Sequence, residues 1–238
     1  RQLIDGKIGQ PLKKSARILD VGCGAGKWIK ELADQGYTNL TGVDPFLPAN
    51  ATSGSVRLIK GDVKDIDGHF DLVTIHHAFE HIPDGETVLR ALKEKLGQNG
   101  VLIVRIPLGA SYGWRKYGGC WVQLDAPRHA HLYSPAGMKA LADRVGLETR
   151  DVAFDATSFM VTGSEATLAG MRPHTGDPIA SMRTQRVFGW ARSRRIAALT
   201  NRLGTAAQAD CFDFTRIKSR PARKAHGRVH SSVSGIYV

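Results

Sequence analysis

Residues 17–27 read Arg17-Ile18-Leu19-Asp20-Val21-Gly22-Cys23-Gly24-Ala25-Gly26-Lys27. A short apolar run ends in three alternating glycines, and a helical pattern begins at Lys27 and stops at Gly36. A buried strand that breaks at a flexible turn and feeds a helix is the entry unit of a parallel sheet wrapped by helices. Backbone amides at the start of that helix face the turn, so the unit is suited to hold a ligand there.

The alternation continues outward. Leu40–Asp44 reads as a second strand, with Pro45 preventing helical continuation. Val56–Lys60 is a third, ending at Gly61-Asp62, and Phe70–His76 a fourth. Gly85–Leu96 has helical spacing, and Val101–Ile106 is a fifth strand ended by Pro107. Residues 108–131 form a loop rich in glycine and aromatics, too long for a mere connection. Ser134-Pro135 supplies an N-cap and a proline at N1 for a helix running to about Val145. Glu148–Phe154 reads as a sixth strand and Asp210–Ile217 as a last one, with weakly patterned, partly helical chain over 157–205 between them. The expected architecture is α/β: a Rossmann-like, seven-stranded, mostly parallel sheet with helices on both faces and a C-terminal helical insertion.

A chain of 238 residues suits one α/β domain with decorations. We expect that domain over 1–217, with a core at 15–150 and a variable substrate region at 108–205, followed by a basic, disordered tail at 218–238. No apolar run approaches the roughly 20 residues of a membrane-spanning helix. Cys23, Cys120 and Cys211 have neither disulfide-framework nor zinc spacing and suit a reducing, cytoplasmic setting. Net charge is +11, concentrated toward the C-terminus: Arg183, Arg186, Arg192, Arg194, Arg195 and Arg202 fall in a stretch without acids. Such runs attract phosphate-rich partners, but the Arg216–Arg228 run holds no aromatic of the Phe, Tyr or Trp type and the other only Phe188 and Trp190, short of a base-stacking surface. A solvated helix face and tail is the preferred reading.

Three nucleotide-binding patterns compete for the glycine turn. A phosphate-cradling P-loop needs glycine where Val21 stands and Ser or Thr where Trp28 stands. A dinucleotide fingerprint needs its third glycine at Lys27, one place after Gly26. The run Ile18–Gly26 instead resembles the first motif of class I S-adenosylmethionine-dependent methyltransferases. That resemblance implies S-adenosyl-L-methionine as cofactor, cradled by Gly22, Gly24 and Gly26. It further implies that Asp20 serves the amino-acid end, Asp44 accepts from both ribose hydroxyls, Asp62 accepts from the adenine amine and the Val63 amide meets the ring. His76 or His77, ending the fourth strand, would border the methyl group.

Two histidine clusters follow. His77-Ala78-Phe79-Glu80-His81 matches the inverted zinc-protease pattern HxxEH, but Ile82-Pro83 argues against the helix that pattern needs. Relatives that methylate hydroxyls use ExxEH at this place to hold a divalent ion. Here His77 replaces the first glutamate, which disfavours Mg²⁺ and tilts any site toward a softer ion. The favoured reading gives Glu80 and His81 a role in organising the turn, and no metal is assigned. Asp125-Ala126-Pro127-Arg128-His129-Ala130-His131-Leu132-Tyr133-Ser134-Pro135 resembles a lid segment of a bacterial subgroup of these enzymes. His129 and His131 therefore join His77 as candidate bases, since imidazole titrates near neutral pH. The expected activity is in-line methyl transfer to a small-molecule or carbohydrate-like acceptor, on oxygen. The rivals are a nucleic-acid methyltransferase using the basic C-terminal half and a non-catalytic cofactor-binding subunit.

Overall fold

The computed structural model describes residues 12–154, 158–170, 212–219 and 234–237. One sheet organises them, built from β1 (Arg17–Val21), β2 (Asn39–Asp44), β3 (Ala51–Ser53), β4 (Val56–Lys60), β5 (Phe70–His76), β6 (Leu96–Pro107), β7 (Leu147–Phe154), β8 (Phe212–Ser219) and β9 (Ser234–Tyr237). The strand order is β3-β4-β2-β1-β5-β6-β8-β7-β9. Strands β4, β2, β1, β5 and β6 run parallel, whereas β8 is antiparallel to both β6 and β7.

All seven anticipated strands are present. The two additions are β3, a three-residue edge strand antiparallel to β4, and β9, which pairs with β6, β7 and β8. Strands β8 and β9 therefore lie across and within the 218–238 stretch read from sequence as a tail.

Alternation along the central strands builds two cores. Leu19 and Val21, Val73 and Ile75, and Leu102 and Val104 face one layer, where they meet Leu89 and Leu92 of α2 (Gly85–Glu94) and Met138 and Leu141 of α4 (Pro135–Arg144). Ile18, Leu72, Val101 and Ile103 face the other, against Ile29 and Leu32 of α1 (Lys27–Asp34). Each fully buried Leu or Ile contributes roughly 1.5–3 kcal/mol through removal of apolar surface from water. Helix starts follow their caps: Asp84 accepts from the Thr87 amide at 3.1 Å and Ser134 from the Gly137 amide at 3.0 Å.

The 108–131 region is more ordered than a loop. Ser111, fully buried, accepts from the Trp114 amide at 3.2 Å and caps the short helix α3 (Tyr112–Tyr117), which a 3-10 turn at Gly118–Cys120 follows. Six residues cannot sustain a helix by propensity. Packing holds this one, because Tyr117 and Trp121 cluster with Met160 and Val161 of α5 (Ser158–Leu168). The Gly109 amide donates to the Tyr133 carbonyl at 3.0 Å and closes the base of the segment. Helix α5 lies within the stretch expected to be helical in parts, and 171–211 lies outside the described residues.

Candidate active site

Chain order runs from β1 outward through β2 to β4, then returns to β5 and β6 on the opposite side of β1. The C-terminal ends of β1 and β5 thus flank a crevice at a topological switch point, where open α/β sheets bind ligands. Asp20, Asp44 and His76 lie at the C-terminal ends of β1, β2 and β5.

The glycine turn hugs the crevice. Gly22, Gly24 and Gly26 have φ of 70°, 51° and 74°, in the left-handed region that side chains disfavour. A Cβ on Gly22 would stand 2.4 Å from the Ala78 Cβ, and one on Gly26 would stand 2.8 Å from Leu58. A Cβ on Gly24 meets nothing within 4 Å, so the turn presents bare backbone to open space.

Asp44 secures this turn. Its Oδ2 accepts from the Gly24 amide at 2.8 Å and its Oδ1 from the Phe46 amide at 2.8 Å. Each carboxylate oxygen can accept a second bond, which leaves capacity for two hydroxyl donors. Asp20 is 3% exposed and accepts from Thr74 Oγ1 at 2.8 Å. Burial pushes its pKa up to about 7; the Thr74 bond works against that rise and the charge of Asp44 adds to it. A buried carboxylate held so far above its usual range gains from a cationic partner such as an ammonium group. The same burial, with Asp20 and Asp44 adding to it, pushes the Cys23 thiol up to about 12 and keeps it neutral.

Asp62 is exposed and caps the 3-10 turn Val63–Asp65: its Oδ1 accepts from the Lys64 amide at 3.4 Å, and Asp65 Oδ2 accepts from the Asp62 amide at 2.8 Å. Val63 is buried. His76 packs against the Trp28 ring, with centroids 4.7 Å apart, and its ring nitrogens are shut from solvent. Burial, reinforced by Arg105 and His77, lowers its pKa to about 3, so the ring is neutral. Sequence reasoning passed over Thr74 and Trp28. Thr74 could have been found from β-strand alternation, which places it on the same face as His76, two residues on.

The second cluster lies where the lid meets the β5–α2 connection. Phe79–His81 is a 3-10 turn, not the α-helix that an HxxEH protease site needs. The Glu80 carbonyl accepts from the amides of Ala130 at 2.8 Å and His131 at 3.2 Å. The Glu80 side chain is 1% exposed, and its Oε1 lies 3.6 Å from His77 Nδ1 and 4.0 Å from His129 Nε2. Among the described residues its Oε2 has no hydrogen-bond partner. His129 Nδ1 is 2.8 Å from the Gln123 carbonyl and His81 Nδ1 is 2.9 Å from the Arg128 carbonyl. His129 Nε2 lies 3.6 Å from Asp125 Oδ2, while Arg128 holds Asp125 Oδ1 at 2.7 Å. Burial lowers the His129 pKa, and it outweighs the opposing influence of Glu80.

His77 and Asp125 both have positive φ, 50° and 40°. Non-glycine residues in that region cluster at functional sites. His131 is exposed and its Nε2 lies 2.8 Å from the Pro83 carbonyl. The structure thus brings His77 and His129 around one carboxylate and places His131 on the outer side of the same junction. Glu80, His81 and His129 each offer one potential metal-ligand atom, all within 4.8 Å of one another.

The bare glycine turn at the switch point, with Asp20 and Asp44 beside it, is the arrangement that the resemblance to class I methyltransferases implies. A family model described as "Methyltransferase domain" matches residues 4–152, and the chain belongs to that family. It is 31% identical over 103 residues to trans-aconitate 2-methyltransferase of Deinococcus radiodurans, covering 41% of this chain and 40% of that protein. It is 30% identical over 166 residues to ubiquinone biosynthesis O-methyltransferase of Azorhizobium caulinodans, covering 63% of this chain and 65% of that protein. These matches span less than two thirds of either relative. Among solved structures, mycolic acid cyclopropane synthase CmaA1, complexed with S-adenosylhomocysteine, has the same fold at a TM-score of 0.55 and 16% identity, covering 91% of this chain and 81% of that one. A putative sarcosine dimethylglycine methyltransferase from Galdieria sulphuraria gives 0.53 and 16%, covering 85% and 77%. Among the described residues no helix is long and apolar enough to cross a membrane.

Proposed function

We propose that this chain is a methyltransferase that transfers the methyl group of S-adenosylmethionine to an oxygen of a small-molecule or carbohydrate-like acceptor. The observation that carries the reading is the junction of lid and sheet: imidazoles from both sides meet at the C-terminal edge, beside the crevice. When bound, S-adenosylmethionine supplies an electrophilic methyl group on a sulfonium sulfur. Asp20 would take its ammonium end, Asp44 its ribose hydroxyls, and the turn through Gly22, Gly24 and Gly26 its amino-acid tail, with Asp62 and Val63 near the adenine. The exposed Trp114 would wall the acceptor side, with the buried Tyr117 and Trp121 holding the lid behind it. Holding donor and acceptor in line, roughly 3 Å apart, supplies much of the rate. A hydroxyl acceptor sheds its proton as it is methylated, and His77, directly after the C-terminal end of β5, would receive it. His129 and His131 would hold the lid over the reaction. The 30% identity to an O-methyltransferase of ubiquinone biosynthesis supports oxygen as the acceptor atom.

The test supplies isotopically labelled cofactor with a panel of phenols, sugars, amines and RNA, and locates the label by mass spectrometry. Label on a phenol or sugar oxygen, reduced at least about a hundredfold in H77A, is the expected result. Label confined to RNA or to an amine nitrogen overturns the reading.

A further inference from the structure

We propose that Thr74 is a positioning residue for the cofactor: its hydroxyl reverses its hydrogen bond with Asp20 as that carboxyl loses its proton, and so holds the carboxylate ready for the ammonium end of S-adenosylmethionine. The inference deepens the reading of Asp20 given above and rests on it. Period-two alternation puts Asp20 of β1 and Thr74 of β5 on the sheet face covered by α1, because Ile18 and Leu72, two residues before each, pack there. The strands are parallel neighbours, and Asp20 is the register partner of Thr74. Thr74 is fully buried and Asp20 nearly so.

The hydroxyl has one hydrogen and two acceptors within reach. Thr74 Oγ1 lies 2.8 Å from Asp20 Oδ1 and 3.3 Å from the Leu19 carbonyl. The first is an ordinary O–H···O separation and the second a long one. When Asp20 is charged its oxygens can only accept, so the Thr74 hydrogen goes to Oδ1. When Asp20 is protonated, its acid O–H donates to Thr74 Oγ1 and the Thr74 hydrogen turns to the Leu19 carbonyl. Neither state strands a buried donor. A valine of the same shape offers neither bond, and the buried anion loses most by that.

The surroundings leave this task to Thr74. Burial and the charge of Asp44 on β2 both disfavour the anion, and the Thr74 bond favours it. The Cys23 thiol of the glycine turn is kept neutral, chiefly by burial. Lys30 of α1 is engaged elsewhere, donating to the Ala25 carbonyl at 2.9 Å. His76, next along this face of β5, is neutral, and its register partner Arg105 lies one strand further out on β6. Among the described residues Thr74 is thus the one hydrogen-bond donor to the Asp20 side chain. It engages Oδ1 and leaves Oδ2 for a ligand. A carboxyl group held at one oxygen is already oriented when the ammonium arrives, which lowers the cost of binding.

S-adenosylhomocysteine, which keeps the ammonium end, is titrated calorimetrically into full-length wild type, T74V and T74S from about pH 6 to about pH 8.5. Adenosine, which lacks that end, is titrated alongside. At about pH 6, T74V should bind S-adenosylhomocysteine about tenfold more weakly than wild type. The rise of its affinity with pH should lie about one pH unit higher, so the deficit narrows toward the alkaline end. A packing defect would lower affinity alike at every pH. T74S, which keeps the hydroxyl, should follow the wild type, and adenosine should bind all three equally. Equal S-adenosylhomocysteine affinities in T74V and wild type, a deficit constant with pH, or one that T74S shares overturns the role of Thr74. An equal loss for adenosine does so too, because it reports a disturbed fold. A wild type that binds adenosine but no S-adenosylhomocysteine brings down the reading of the cofactor site, and this inference with it, whereas indifference confined to T74V leaves that reading standing.

Discussion

Asp20 holds its proton to an unusual pH because β1 carries it into the sheet, where water cannot solvate the anion. Its pKa is raised from 3.8 to about 7. A native state that binds a proton more tightly than the unfolded chain loses stability as pH rises. Relative to D20N, wild-type protein without cofactor should therefore lose stability progressively between pH 3.8 and about 7, and a urea midpoint at each pH reads the difference. A parallel trend in both proteins would remove Asp20 as the cause. An ammonium partner favours the carboxylate, so cofactor binding near neutral pH should release protons. Calorimetry in buffers of different ionisation enthalpy measures that release, which should vanish in D20N. At Asp44, hydrogen bonds to a charged group are worth about 1.5–3 kcal/mol each. D44A should therefore raise the S-adenosylhomocysteine Kd by about tenfold to a hundredfold; an unchanged Kd would place the ribose elsewhere.

At the scale of elements, strands and helix starts were legible because local chemistry sets them. Period-two alternation in Ile18–Val21, Leu72–Ile75 and Val101–Val104 serves two helix layers at once, and Ser134-Pro135 marks its helix without help from the rest of the fold. L72A should cost about 2–5 kcal/mol by opening a cavity between β5 and α1, and S134A about 1 kcal/mol through loss of a cap; chemical denaturation measures both. Helix α3 was not legible, since its support comes from Tyr117 and Trp121 packing on a helix more than forty residues later. Strands β3 and β9 are three and four residues long and take their register from neighbours. The glycine turn was legible from the strand-turn-helix pattern, and its acids as what the resemblance to class I methyltransferases implies. The meeting of Glu80, His81 and His129 could not: His81 and the Arg128 carbonyl that orients it are 47 residues apart. Only the fold joins them.

Over the whole molecule, the lid is fixed at three places: to the Glu80 carbonyl, to its own base through Gly109 and Tyr133, and to α5. The last contact is close. Val122 donates its amide to Ser164 Oγ at 3.0 Å, and a Cβ on Gly163 would stand 2.8 Å from Val122 Cγ2. G163V should therefore loosen the lid and speed tryptic cleavage at Arg115 and Lys116, while cofactor affinity at the opposite side of the crevice is unchanged. Equal cleavage rates in G163V and wild type would mean that the α5 contact does not hold the lid. A test of nucleic-acid binding by removing 218–238 would also remove β9 and cut the end of β8. Charge-neutralising changes at Arg220, Arg223, Lys224 and Arg228 are the cleaner probe of salt dependence.

The placement of β8 between β6 and β7 has a consequence for biosynthesis. As the chain emerges from the ribosome, β1 through β6 and their helices can assemble with both apolar layers covered. Strand β7, though made next, has no neighbour to pair with until β8 arrives almost sixty residues later. For that interval β6 presents an unpaired edge, the kind of surface that recruits strands from other nascent chains. Closure of the sheet is thus a late, long-range step. The lid, rooted between β6 and β7, gains its last support from α5, which is made after β7, so the nascent protein would hold a formed cofactor crevice before it has an enclosed acceptor site.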